Sequence, residues 1–140
     1  MKPLVLDASV AAAWLMPSQA TKASERLLLR IGELDLIAPH IFVWEVGNLL
    51  VRQSRRGLPL PDARQFLDDL CIGYVESYPP HAVLNLTDEA AATGLSLFDV
   101  AYLALAAELD APLASRDGAL IAAAAGLGLE CLDLRYTEAQ

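Results

Sequence analysis

The sequence predicts an α/β fold of three layers, with helices packed on both faces of a central, mostly parallel sheet of about four to five strands. Three observations lead there. Short apolar runs alternate with stretches whose apolar residues recur at helical spacing, from one end of the chain to the other. Gly32, Gly57 and Gly73 each stand where such a helical stretch runs out. Hydrophobic residues fill 55% of the 140 positions, enough for one domain spanning residues 1–140 with a single core.

Leu4 to Leu6 reads as a short buried strand, and an Ala-rich helix follows from Val10 to Met16, stopping before Pro17. Ala20, Ala23, Leu27, Leu28 and Ile31 keep helical spacing over Ser18 to Ile31, with Gly32 placed to end that helix. Leu34 to Ala38 is the second strand. His40 to Arg56 is a long helix closed by Gly57, and Pro61 to Ile72 another closed by Gly73. Tyr74 to Tyr78 is the third strand. Helical patterns run from Pro80 to Thr93 and from Phe98 to Leu109; Leu113 to Ser115 is strand four, Gly118 to Ala125 a short helix and Leu129 to Leu132 strand five. Right-handed crossovers join such strands, and ligands bind outside their carboxyl ends. Asp7 and Asp117 directly follow two of those ends, so the fold predicts them to be neighbours. No repeat or interdomain linker interrupts the pattern, and Arg135 to Gln140 is expected to be loosely held.

Four carboxylates are the candidates for chemistry: Asp7, Glu45, Asp99 and Asp117. Singly, each has an ordinary use. Asp7 can cap the helix after it, Ser96 and Asp99 match a capping box, and Asp117 before Gly118 suits a turn or cap. Glu45 is harder to place, because Ile41, Val46, Leu49 and Leu50 describe a largely buried helix and a buried carboxylate needs a partner or a cation. Together the four supply the oxygen donors that Mg²⁺ and Mn²⁺ prefer. Mutual repulsion would raise at least one pKa without metal, and a dication would favour the charged forms. Such a site suits hydrolysis of a phosphodiester by a metal-activated water, without a protein nucleophile.

Ser9 and Ser115 can orient a carboxylate, or serve as cap and turn. Asn48, one turn after Glu45, shares its helix face and can position that acid or make an ordinary hydrogen bond. Arg116 is expected to be exposed and solvated, His40 and His81 to cap or lie on the surface, and Trp14, Phe42, Trp44 and Phe98 to be core or interface. Cys71 and Cys131 fit neither a disulfide framework nor a metal pair, and are expected as buried or half-buried small hydrophobes.

The net charge of −8 argues against broad adhesion to nucleic acid, which is driven by Lys and Arg. Bound cations would offset part of that charge, and Arg52, Arg55 and Arg56 form a local basic group. No apolar run approaches a membrane span and no secretion signal opens the chain, so a cytoplasmic protein without membrane contact is expected.

The segments Val5-Leu6-Asp7-Ala8-Ser9, Glu45-Val46-Gly47-Asn48-Leu49-Leu50, Leu95 to Ala106 and Ser115-Arg116-Asp117-Gly118-Ala119-Leu120 together resemble the PIN-domain ribonucleases, in particular the toxins of VapBC-type toxin–antitoxin pairs. The resemblance covers nearly the whole chain. It implies a Mg²⁺- or Mn²⁺-dependent endonuclease of tRNA, rRNA or mRNA, with Asp7 and Asp99 as main metal ligands and Glu45 and Asp117 completing the quartet. It also implies a homodimer and a VapB-type antitoxin whose tail lies over the active-site groove. Ser115 stands where Thr is frequent and Phe98 where Tyr is frequent; neither change removes a ligand. A haloacid-dehalogenase-like phosphatase would also carry an Asp after strand one, but needs a second Asp where Ser9 stands and a suitably placed lysine. A docking module without catalysis is the remaining alternative.

Overall fold

The computed structural model describes residues 1–76 and 78–136. Five strands, β1 (Lys2–Leu6), β2 (Leu34–Pro39), β3 (Gly73–Val75), β4 (Leu113–Ser115) and β5 (Cys131–Asp133), form one sheet in the order β3-β2-β1-β4-β5. Every pairing is parallel, and helices cover both faces as the alternation predicts. These are α1 (Ala8–Leu15), α2 (Lys22–Leu29), α3 (Ile41–Ser54), α4 (Leu60–Asp69), α5 (Pro80–Asn85), α6 (Thr87–Thr93), α7 (Leu97–Leu109) and α8 (Gly118–Gly126).

β1 is the central strand, and its Leu4, Val5 and Leu6 are at most 1% exposed. A strand apolar on both sides is what a sheet covered on both faces requires. The core adds Phe42 and Val46 from α3, Leu103 and Leu105 from α7, and Leu120 from α8. From β1 the chain builds β2 and β3 on one side, then crosses to lay β4 and β5 on the other. This reversal opens a crevice between the carboxyl ends of β1 and β4. The backbone contact continues past the strands there, with Asp7 N–H donating to the Ala114 carbonyl at 3.3 Å.

Several boundaries differ from the sequence reading. The helix expected over Ser18 to Ile31 begins only after Thr21. Thr21 and Ser24 exchange side-chain and backbone bonds in a capping box, and the Thr21 hydroxyl also donates to the Leu134 carbonyl at 2.6 Å. Pro17–Gln19 is a separate 3₁₀ turn, and Gly32 lies inside another, Ile31–Glu33, instead of ending α2. α4 ends at Asp69, four residues before Gly73, because Cys71 makes the left-handed turn at φ 54°. Gly73 opens β3. Gly57 does close α3, at φ 102°, where glycine is unstrained.

The helical pattern over Pro80 to Thr93 is two helices broken at Leu86. β3 is shorter than the expected Tyr74 to Tyr78, of which position 77 lies outside the described residues. β5 is displaced toward the C-terminus, because Leu113 pairs with Cys131 and Ser115 with Asp133. Arg135 is not loose, since Nε and Nη2 both bond the Asp133 carboxylate, at 2.9 and 2.6 Å; the expectation for 137–140 lies outside the described residues. Cys71 is exposed and Cys131 half-buried, both free thiols, so the first departs from the buried reading. No single helix among the described residues is long and apolar enough to cross a membrane.

Candidate active site

Asp7 stands where β1 becomes α1. Its extended backbone and its carboxylate, which accepts the Ser9 N–H at 3.1 Å, make it the α1 cap. The capping reading is therefore correct, but capping does not exhaust the side chain. Ser9 Oγ donates to Oδ1 at 2.5 Å and Ser115 Oγ to Oδ2 at 2.6 Å. Ser115 Oγ also accepts the Asp117 N–H at 2.9 Å, and Ser9 Oγ accepts the Arg116 N–H at 2.8 Å. Two serines thus tie the β1–α1 junction to the β4–α8 junction across the crevice.

Asp117 caps α8, accepting the N–H groups of Ala119 and Leu120 through Oδ1. Asp99 lies in the first turn of α7, where Ser96 Oγ caps its N–H at 3.1 Å. The capping box is half made: among the described residues the Asp99 carboxylate does not bond back to Ser96 N–H. Glu45 lies one turn into α3, half-buried, and the partner that its apolar surroundings demanded is the fully buried Tyr102, whose hydroxyl donates to Oε1 at 2.7 Å.

The acids raise one another's titration. Burial pushes the Asp7 carboxyl up to about 6, against the hydrogen bonds from Ser115 and Ser9, and the Asp117 charge adds to the rise. Burial also raises Glu45, with Asp99 adding, and raises Asp99, with Asp117 adding. The Tyr102 phenol is held far above its usual range by burial and by Glu45. Among the described residues no group of three or more His, Cys, Asp or Glu side chains is drawn together tightly enough to hold a metal ion. The ion pairs among those residues, Arg30–Glu33 and Arg135–Asp133, leave all four acids without a cationic partner.

Of the three residues expected to orient an acid, Ser9 and Ser115 hydrogen-bond the Asp7 carboxylate. Asn48 is exposed, and among the described residues its side chain makes no hydrogen bond to Glu45. Tyr102 holds Glu45 instead and was missed, although its place three residues after Asp99 puts both on one face of α7. Arg116 is half-buried with Nη1 on Gln19 Oε1 at 2.9 Å, correcting the expectation of a solvated side chain. Phe42 is core and Trp14 donates to the Ser24 carbonyl. Trp44 and Phe98, one residue before Glu45 and Asp99, are 68% and 53% exposed and line a groove of about 250 Å³ with His40, Ile41 and Leu97.

A family model for the PIN domain matches residues 4–126. The chain belongs to the PIN-domain family. Among known proteins it is 30% identical over 119 residues to Ribonuclease VapC3 of Pyrobaculum aerophilum, covering 81% of this chain and 88% of that one. Its fold is shared with PAE2754 from Pyrobaculum aerophilum, at a TM-score of 0.68 and 22% identity over 94% of this chain and 84% of that one. FitAcB from Neisseria gonorrhoeae also shares it, at a TM-score of 0.59 and 19% identity over 94% and 98% of the two chains.

Proposed function

We propose that this protein is a divalent-metal-dependent endoribonuclease, acting as a single PIN domain and as the toxin of a type II toxin–antitoxin pair. The observation that carries the reading is Asp7, hydrogen-bonded by Ser9 and Ser115 at the crevice between β1 and β4, where Asp117 also stands, with none of the four candidate acids paired with Lys or Arg among the described residues. Oxygen-only donors carrying uncompensated charge fit Mg²⁺, with Mn²⁺ as a substitute, better than a softer ion. Asp7 and Asp99 would be the main ligands, with Glu45 and Asp117 completing the set. Bound there, the cation would supply a reactive water and offset charge on the scissile phosphate.

The chain's own residues do the rest. Ser9 and Ser115 hold both Asp7 oxygens, so the carboxylate cannot swing out of the crevice. Tyr102 holds Glu45 through its hydroxyl. The caps at Asp7 and Asp117 fix two acids to helix N-termini. The ribonuclease and toxin assignments draw support from the relative named Ribonuclease VapC3; the substrates proposed are tRNA, rRNA or mRNA.

The apolar groove is lined by Trp44 and Phe98, each one residue before a candidate acid, in a chain of net charge −8. A basic, amphipathic antitoxin segment matches both features, and a homodimer is part of the same proposal. The test of function is cleavage of total tRNA and rRNA by antitoxin-free protein with Mg²⁺ or Mn²⁺. Loss of cleavage in EDTA and in Asp7→Asn is the expected result; cleavage surviving either control would refute the metal site.

A further inference from the structure

The chain leaving β5 passes the residue that holds Asp7. Ser115 pairs with Asp133 in register, Leu134 N–H donates to the Ser115 carbonyl at 2.9 Å, and the Ser115 hydroxyl donates to Asp7. Asp133 then fixes Arg135, whose Nε reaches Oδ1 at 2.9 Å and whose Nη2 reaches Oδ2 at 2.6 Å. The guanidinium lies against Gly118, with Nη1 3.0 Å from where a β-carbon would stand on that glycine. Gly118 follows Asp117 and opens α8. A cation is therefore set at the first turn of the helix that Asp117 caps, and its side chain is 47% exposed.

An arginine carries five N–H groups, and Asp133 takes the pair along its side, Nε and one of Nη2. The end-on pair, one N–H each from Nη1 and Nη2, is not used by Asp133. That pair matches two oxygens of a phosphate. A guanidinium already held in one orientation also loses less freedom on meeting an anion.

Beyond Arg135 the surface continues in a cleft of about 240 Å³ between α2 and the edge strand β5. Arg26, Arg30 and Tyr136 line it, with Leu27, Leu132 and Asp133. Arg26 has no ion-pair partner among the described residues, and Arg30 meets Glu33 at 3.7 Å with both side chains exposed. The charge of Asp133 is taken up by Arg135. Tyr136 is 41% exposed, and its carbonyl accepts the Ala23 N–H, which ties it to α2. Arginines for the backbone and an aromatic face for a base are what a single-stranded nucleic acid needs.

We propose that an RNA strand passing the acids continues over Arg135 into the cleft between α2 and β5. Arg135 receives a phosphate through Nη1 and Nη2, Tyr136 stacks on a base, and Arg26 and Arg30 meet the backbone beyond, with Asp133 as the positioning residue for Arg135. The inference rests on the ribonuclease reading. In a chain of net charge −8 such local cationic contacts give the strand a fixed path where the protein as a whole repels it.

The test is fluorescence anisotropy of a labelled single-stranded RNA of mixed sequence with Mg²⁺, in an Asp99→Asn parent, over a series of salt concentrations. Adding Arg135→Gln is expected to weaken binding about fivefold or more and to make the dependence of log K on log salt shallower by about 0.7. Asp133→Asn combined with Arg135→Gln removes the pair, and with it any repulsion from an unpaired Asp133, so affinity is expected to stay low. Tyr136→Ala is expected to cost about fivefold or more, and Tyr136→Phe, which keeps the ring, to bind as the parent does. Arg64→Gln, on the exposed side of α4 before the opposite edge strand β3, is the charge-matched control and should also bind as the parent does. The exposed Asp133–Arg135 pair contributes little to stability, so these variants are expected to fold. Parent-like affinity in Arg135→Gln or Tyr136→Ala, affinity restored in the Asp133→Asn combination, or an equal loss in Arg64→Gln would overturn the inference. A parent that binds no RNA would overturn the ribonuclease reading as well, so the two failures are told apart.

Discussion

The Tyr102 hydroxyl donates to Glu45 Oε1 at 2.7 Å, joining α7 to α3. Tyr102 is 1% exposed, and Asp99 lies three residues before it on α7. The same helix thus presents one acid and steers another. Tyr102→Phe keeps the ring and removes the donor, leaving Glu45 half-buried with one hydrogen bond fewer. Its carboxyl should rise further above the usual range, because the Tyr102 bond is what lowers it. We expect Mn²⁺ to bind several-fold more weakly by calorimetric titration, with stability reduced by about 1–2 kcal/mol. Unchanged Mn²⁺ affinity would make Tyr102 a core residue only.

Asp7 predicts an unusual dependence of stability on pH. Its carboxyl titrates at about 6 in the folded protein, against about 3.9 in an unfolded chain. Between those values the folded state holds a proton that the unfolded state has released. The stabilisation is therefore complete below about pH 4 and is lost as pH rises through about 6, a change of about 3 kcal/mol. Glu45 and Asp99 shift in the same direction, while Asp133, held low by Arg135, works in the other. In EDTA the melting temperature should fall between pH 4 and 7, and Asp7→Asn should flatten that fall and raise the value at pH 7.5 by about 5 °C or more. A melting curve in which Asp7→Asn is destabilising at pH 7.5 would show that the charge is already compensated.

How legible the molecule was in its sequence follows from what each signal depends on. β4 was read to the residue because Leu113-Ala114-Ser115 is flanked by Pro112 and a cap at Asp117. The order of elements and the nearness of Asp7 to Asp117 followed from parallel topology alone. The start of α2 depends on Thr21 bonding Leu134, which is 113 residues away, so local pattern does not mark it. The end of α4 depends on a left-handed Cys71, which no composition rule anticipates. At the candidate site, Asp7, Ser9, Ser115 and Asp117 are visible as residue types near strand ends, and Glu45 and Asp99 as acids on apolar helices. The Gln19–Arg116 bond was not, because its partners are 97 positions apart and Gln19 belongs to no pattern.

Ser115 supports the same acid from the opposite side of the crevice. Its hydroxyl donates to Asp7 Oδ2 and accepts the Asp117 N–H, and it is wholly buried. Ser115→Ala removes the largest of the hydrogen bonds that lower the Asp7 carboxyl, so Asp7 should titrate still higher. The acid limb of the cleavage profile is expected to move to higher pH, with a stability loss of about 1–3 kcal/mol. Ser115→Thr retains the hydroxyl and should restore the limb. A limb that stays in place in Ser115→Ala would mean that Asp7 does not set it.

Trp44 and Phe98 separate partner binding from cleavage. Both are exposed, both precede a candidate ligand by one residue, and they share the apolar groove. Truncating an exposed aromatic side chain changes stability by about 0.5 kcal/mol or less. Where such a residue anchors a partner, its loss costs about 2 kcal/mol or more of binding. We therefore expect Trp44→Ala and Phe98→Ala to melt within about 2 °C of the wild type and to retain RNA cleavage, while a co-expressed antitoxin is lost from affinity-purified protein. Antitoxin retained at wild-type stoichiometry by the double variant would place that partner on another face and leave the groove to the homodimer, which the sedimentation coefficient of the same variant would then report.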